Sequence, residues 1–192
     1  MLPTLPEIEE AALRVYEAIQ PTPQISWPLL NHRCNCKVWV KHENHNPTGA
    51  FKVRGGLIYL GNLKQREAGV TGVCAATRGN HGQSVAFAAA RNDLQAVIVV
   101  PEGNNPEKNA AVVALGAELV ISGRDFDESV ERARELAQKM RLVWIRRSSE
   151  SSQKMRTATS YPWQQAGSPA LTLLTRSPMA WRSEIPTKKH WT

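Results

Sequence analysis

Cysteine is scarce in this sequence: Cys34, Cys36 and Cys74 are the only three in 192 residues. An odd count argues against a disulfide framework, and C-x-C plus one distant thiol is a poor zinc set. The three read as free thiols, buried or half-exposed, in a reducing cytosol, so a cytoplasmic location and no bound metal are expected. No apolar run approaches the roughly 18 residues that a membrane span needs. Met1-Leu2-Pro3-Thr4 offers no basic region leading into an apolar stretch, so no secretory signal is expected. G-x-G-x-x-G is absent, which leaves a dinucleotide fingerprint unsupported. Excess charge is also missing from most of the chain. Residues 1–145 hold 16 Lys/Arg against 15 Asp/Glu, and the net +7 comes from residues 146–192, with 8 against 2. The body therefore carries no electrostatic mark of nucleic acid. Trp163, Trp181 and Trp191 stand too far apart among scattered bases to make the tail a nucleic-acid-binding segment.

What is present is enough apolar residue, 42%, for one globular core, or slightly more than one domain by length. Thr4-Leu5-Pro6-Glu7 opens a helix with an apolar face of Ile8, Ala11, Ala12, Val15 and Ile19, ended by Pro21 and Pro23. Leu57, Leu60 and Leu63 mark another, running up to Gly69 as C-cap. Strands are expected at 70–76, 96–100, 118–121 and 142–145, with helices between them near 83–90, 106–115 and 126–139. Asp125 with Glu128 three residues on has the form of a capping box. Short apolar strands alternating with amphipathic helices indicate an α/β chain, its parallel sheet covered by helices on both faces. Trp27 and Trp39 read as core or interface aromatics. The charged residues between Asp125 and Glu135 read as a solvated helix face.

The chemistry gathers at Asn46-Pro47-Thr48-Gly49-Ala50-Phe51-Lys52-Val53-Arg54-Gly55-Gly56. A strand-like run, Lys37–Lys41, leads in, and Pro47 and Gly49 break it. Thr48 is a candidate N-cap for a helix beginning at Ala50. Lys52 then lies in the first turn, where the helix dipole disfavours a cation and so favours the neutral, nucleophilic amine. On position alone it reads as a solvated helix lysine. A second signal is Thr77-Arg78-Gly79-Asn80-His81-Gly82-Gln83, a glycine-punctuated turn feeding a helix. Its backbone N–H groups and positive dipole end suit a carboxylate or phosphate. His81 on its own reads as a loop-stabilising histidine.

Together, Lys41-x-Glu43, the stretch from Asn46 to Gly55, and Gly79-Asn80-His81-Gly82 resemble the fold-type II pyridoxal-phosphate enzymes. These are the enzymes with a tryptophan synthase β-like fold, among them threonine and serine dehydratases, serine racemase, threonine synthase and cysteine synthase. Val53 after the lysine, where the synthases usually carry an acid, places the match in the dehydratase and racemase branch. The resemblance implies a pyridoxal 5'-phosphate cofactor held covalently by Lys52, the catalytic residue, with Phe51 and Asn80 also at the cofactor and Asn80 on its ring hydroxyl. It implies a substrate carboxylate held by Thr77, Gly79, Asn80 and His81. Glu43 matches a family position and reads equally as the partner of a nearby base. Serine racemases usually place a serine where Arg78 stands, and a permanently charged guanidinium cannot be the acid for the opposite face of a carbanion. Elimination is therefore expected over racemization. The implied reaction is threonine or serine ammonia-lyase chemistry giving a 2-oxo acid and ammonia. The implied partner is a small amino acid, L-threonine or L-serine, and full-length relatives are implied to be homo-oligomers.

The resemblance extends over residues 1–145. Residues 1–54 are expected to belong to the large cofactor domain and 55–145 to form the small α/β domain. Residues 146–192 are expected to be a divergent, irregular tail. Gly167 is the tail's one glycine, so it cannot supply the family's glycine-rich phosphate loop, and the chain is expected to be truncated and impaired. The rival reading is a non-catalytic fragment that folds as a small α/β binding domain.

Overall fold

The computed structural model describes residues 3–145. In chain order they form α1 (Leu5–Tyr16), β1 (Gln24–Ile25), α2 (Pro28–Cys34), β2 (Val40–Lys41), a 3-10 turn at Glu43–His45, α3 (Lys52–Arg66), β3 (Gly72–Ala76), α4 (Asn80–Ala90), β4 (Gln95–Val100), α5 (Pro106–Ala114), β5 (Glu118–Ile121), α6 (Phe126–Met140) and β6 (Val143–Trp144). The tail lies outside the described residues, and with it the expectation of an irregular end.

β3 to β6 make one parallel sheet in the order β5-β4-β3-β6, as the strand–helix alternation predicts. Alternate strand residues face opposite sides. Val73, Ala75, Ala96, Ile98 and Val100 pack with Val15 of α1, Val53, Leu57 and Leu60 of α3, Val85 and Ala89 of α4 and Val112 of α5. Cys74, Ala76, Val97 and Val99 pack on the other face against Ala133 and Ala137 of α6. β3 and β4 are buried on both faces, which is why their sequences are continuously apolar. β1 and β2 form a separate antiparallel ribbon. Burial, and then the charge of Glu118, push the Cys74 thiol up to about 11, so it stays protonated, while Cys34 is exposed.

Several local expectations are corrected. Only Val40–Lys41 of the Lys37–Lys41 run pairs as a strand. α3 starts at Lys52, not Ala50, because Gly49 adopts φ +62° and gives the chain one more turn first. Thr48 is accordingly no N-cap; its hydroxyl donates to Ala50 O at 3.4 Å. The helix ends at Arg66 with Glu67 as C-cap, so Gly69 caps nothing. Asp125 Oδ1 does accept from the Asp127 and Glu128 N–H groups. The Glu128 carboxylate, however, turns to the backbone N–H and guanidinium of Arg124 instead of closing a capping box. Trp27 and Trp39 are each 48% exposed and so lie outside the core, which leaves the interface alternative for them.

Candidate active site

The turn before α3 is fixed by a buried ion pair. Arg54 is 2% exposed, and its Nε and Nη2 meet Glu43 Oε2 and Oε1 at 2.8 and 3.2 Å. Glu43 also accepts from Thr22 Oγ1 and from Asn46 Nδ2, each at 2.7 Å. Asn46 Nδ2 reaches on to Ala50 O at 3.3 Å. Burial alone would push the Glu43 carboxyl up. Hydrogen bonds from Arg54 and Thr22, the Arg54 charge and the Asn46 amide outweigh it and hold the group below its ordinary value. Glu43 thus does pair with a base, and the pair ties the 3-10 turn, the Asn46–Ala50 loop and the first turn of α3 together. Lys52 opens that helix, half-buried, and Phe51 beside it is 44% exposed.

The second turn follows β3. Thr77 is 4% exposed, and its Oγ1 accepts from the N–H groups of Gly79 and Gly82 at 3.1 and 3.2 Å. That side chain starts α4 at Asn80, three residues earlier than the apolar pattern indicates. A Cβ on Gly82 would lie 2.5 Å from the Thr77 methyl, so the threonine and the glycine require one another. His81 is buried, 6% exposed, and Asn80 and Gly79 are half-exposed. Asn80 Oδ1 accepts from Lys108 Nζ, in the first turn of α5, at 2.8 Å.

The two turns meet through α3 and α4. Ser84 Oγ donates to the backbone carbonyl of Lys52 at 2.7 Å. Gly56 packs on Ser84, and Gly61, further along α3, packs near Asn92 beyond the end of α4. The helices therefore run side by side in one direction, and both N-termini open at the carboxyl ends of the strands. β3 is where the sheet order reverses, since β4 and β5 extend to one side of it and β6 to the other. In open α/β sheets the crevice at such a point is where ligands bind. Two positive helix ends, one opened by Lys52 and the other by Asn80, thus lie side by side at a place suited to an anionic small molecule. Among the described residues no cluster of His, Cys, Asp and Glu could hold a metal ion.

The family described as "Pyridoxal-phosphate dependent enzyme" matches residues 15–167, most of the chain. The chain belongs to that family. Its match runs past Ile145, where the motif resemblance stops. Among curated proteins, the biosynthetic L-threonine dehydratase of Haemophilus influenzae is 37% identical over 132 residues, 69% of this chain and 26% of that protein. Among solved structures, a pyridoxal 5'-phosphate-dependent aspartate racemase superposes with a TM-score of 0.73 at 28% identity, covering 81% of this chain and 48% of that one. The processed form of threonine deaminase isoform 2 from Solanum lycopersicum gives 0.67 at 29%, covering 82% and 46%. The chain spans about a quarter of the length of the first curated relatives it matches. The fold of this pyridoxal-phosphate family member is the α/β fold with the parallel sheet described above.

The residues present fit the reactive end of pyridoxal phosphate. Lys52 would offer an amine to its aldehyde and the Asn80 turn would offer donors to its ring oxygen, while the Lys108 side chain fills the space between Gly79 and α5. Sequence reasoning missed Ser84, Lys108 and the part played by Arg54. Each acts through a contact with a residue far along the chain. No helix among the described residues is long and apolar enough to cross a membrane.

Proposed function

We propose that this chain supplies the lysine-bearing half of the active site of a pyridoxal-phosphate-dependent L-threonine or L-serine ammonia-lyase. The observation that carries the reading is the Ser84–Lys52 hydrogen bond of 2.7 Å, which sets the lysine helix and the Gly79–Gly82 turn side by side at the strand ends. Lys52 Nζ would hold the cofactor's aldehyde at rest and, once its amine is free, would serve as the base for the substrate's α-proton. When bound, the cofactor supplies the electron sink that makes this proton removable. Asn80 would donate its side-chain amide to the ring oxygen, and Phe51 would lie beside the cofactor. The N–H groups of Asn80 and His81 would meet the substrate carboxylate, and the Gly79 N–H, which donates to Thr77 Oγ1 at 3.1 Å, would be shared with it. The Thr77 hydroxyl hydrogen, held in the free protein only by a 3.4 Å contact with Gly79 O, is the donor that turns to it as well. Loss of the β-hydroxyl as water would leave an enamine, and hydrolysis of its imine tautomer by a water from solvent gives the 2-oxo acid and ammonia. The reading carries with it a place in amino-acid metabolism in the cytoplasm.

The test is titration of the 192-residue chain with pyridoxal phosphate. A visible absorbance band should grow in, become fixed at Lys52 on borohydride reduction, and vanish in Lys52→Ala. In Asn80→Ala the band should shift without loss of helical circular dichroism. A band of equal strength in Lys52→Ala would remove the proposal.

A further inference from the structure

We infer that Lys108 is a positioning residue that sets which face of the Asn80 amide is offered to the ligand. The inference deepens the reading just given and rests on it for the identity of that ligand. Lys108 is the third residue of α5, and its backbone is fixed because the Asn105 side chain accepts from the N–H groups of Glu107 and Lys108 at 2.9 and 3.1 Å. From there its half-buried side chain crosses Gly79 and ends on Asn80 Oδ1 at 2.8 Å.

An ammonium group can only donate. Of the two ends of the Asn80 amide it can therefore hold only the oxygen, and the NH2 end is left to face the other way. An asparagine amide by itself is close to two-fold about its last torsion, so nothing local would choose between the two orientations. Lys108 chooses. It thereby makes Asn80 a donor toward the site, which is what an anionic ring oxygen requires; the opposite orientation would set two acceptors against each other.

Two further observations fit this role. A Cβ on Gly79 would lie 2.9 Å from both Cδ and Nζ of Lys108. Gly79 is small so that the lysine can pass. Moreover, Lys108 puts a cation in the first turn of α5 and beside the first residue of α4, at the positive ends of two helices. Folding alone disfavours a cation there, while a site awaiting an anion favours it.

The experiment compares the parent chain with Lys108→Met, Lys108→Arg and Gly79→Ala, without and with pyridoxal phosphate. Without it, the side-chain amide resonances of Asn80, assigned by Asn80→Asp, should move and exchange faster in Lys108→Met and in Gly79→Ala. The second variant displaces the lysine stem from Cδ outward, and helical circular dichroism checks that it folds like the parent. Lys108→Arg, which keeps a donor-only cation, should restore the parent resonances in part. With pyridoxal phosphate, Lys108→Met should bind on the order of tenfold more weakly, the loss of one charge-assisted hydrogen bond, and with a shifted band. Asn80 resonances that stay put in both Lys108→Met and Gly79→Ala overturn the inference. So does a Lys108→Met chain that binds as tightly as the parent with an unshifted band. If the parent gives no Lys52-dependent band, the proposed function fails, and the amide resonances still decide the role of Lys108.

Discussion

Arg54 and Glu43 form an ion pair that is largely withdrawn from solvent. Glu43→Gln would leave a guanidinium 2% exposed with no opposite charge beside it, at a cost of about 3 kcal/mol. The urea midpoint at neutral pH should fall accordingly. The pH dependence has a definite sign. The folded carboxyl titrates below its ordinary 4.5, so its contribution is full above about pH 4.5 and is lost as pH falls through the folded value. The gap between parent and Glu43→Gln should therefore be wide at pH 7 and close progressively below pH 4.5; a gap independent of pH would rule out Glu43 as the titrating partner. At this scale the sequence was half legible. That Glu43 meets a base could be expected from the basic residues near it. That Arg54 joins at 2.8 Å, inside the looser 3.9 Å pairing with Lys41, depends on a helix start that Gly49 moves by two residues. Lys108 was beyond reach altogether, since its partner stands 28 residues away.

Between elements, the close approach of α3 and α4 decides the site. A Cβ on Gly56 would fall 2.3 Å from Ser84 Oγ and 2.9 Å from Ser84 O, and no rotamer change moves a backbone oxygen. Gly56→Ala should therefore destabilise by about 1–3 kcal/mol through overpacking, despite the better helix propensity of alanine. Thermal melts should show it, and Gly56→Ala combined with Ser84→Ala should regain only part of the loss. A Gly56→Ala chain more stable than its parent would mean that the helices separate freely. The strands, the parallel sheet and the order of the helices are legible from the alternation of short apolar runs, because the two central strands are buried on both faces. Element ends are not. α4 begins where a threonine three residues upstream supplies the acceptor, and α3 ends at Glu67 with Gly69 standing by unused. Such ends are set by side chains that fold back on the turn, and a periodicity does not register them.

For the molecule as a whole, the family was legible because its two motifs are contiguous, while the remainder of the relatives' length has no counterpart to read. Joined to that remainder from a threonine dehydratase relative, the chain should eliminate water from L-serine and racemize it far more slowly. Arg78 is exposed on the turn and cannot act as a neutral acid. Chiral separation of residual serine beside a 2-oxo acid assay measures both rates, and equal rates would contradict the assignment. The sheet order carries a kinetic consequence as well. β6 joins β3 by the pairs Val73–Val143 and Cys74–Trp144, with Ile145 N donating to Cys74 O at 2.8 Å. Val143 lies 70 residues beyond Val73, whereas Ala96, its partner in β4, lies 23 beyond. Closing the longer loop costs about 1 kcal/mol more for two rungs than the shorter one does for five. β6 is thus the strand to dock last in folding and to detach first in local opening. In hydrogen exchange the Ile145 amide should lose protection well ahead of Val97–Val99, and the crevice at the sheet's reversal would then be walled on one side by a strand that comes and goes.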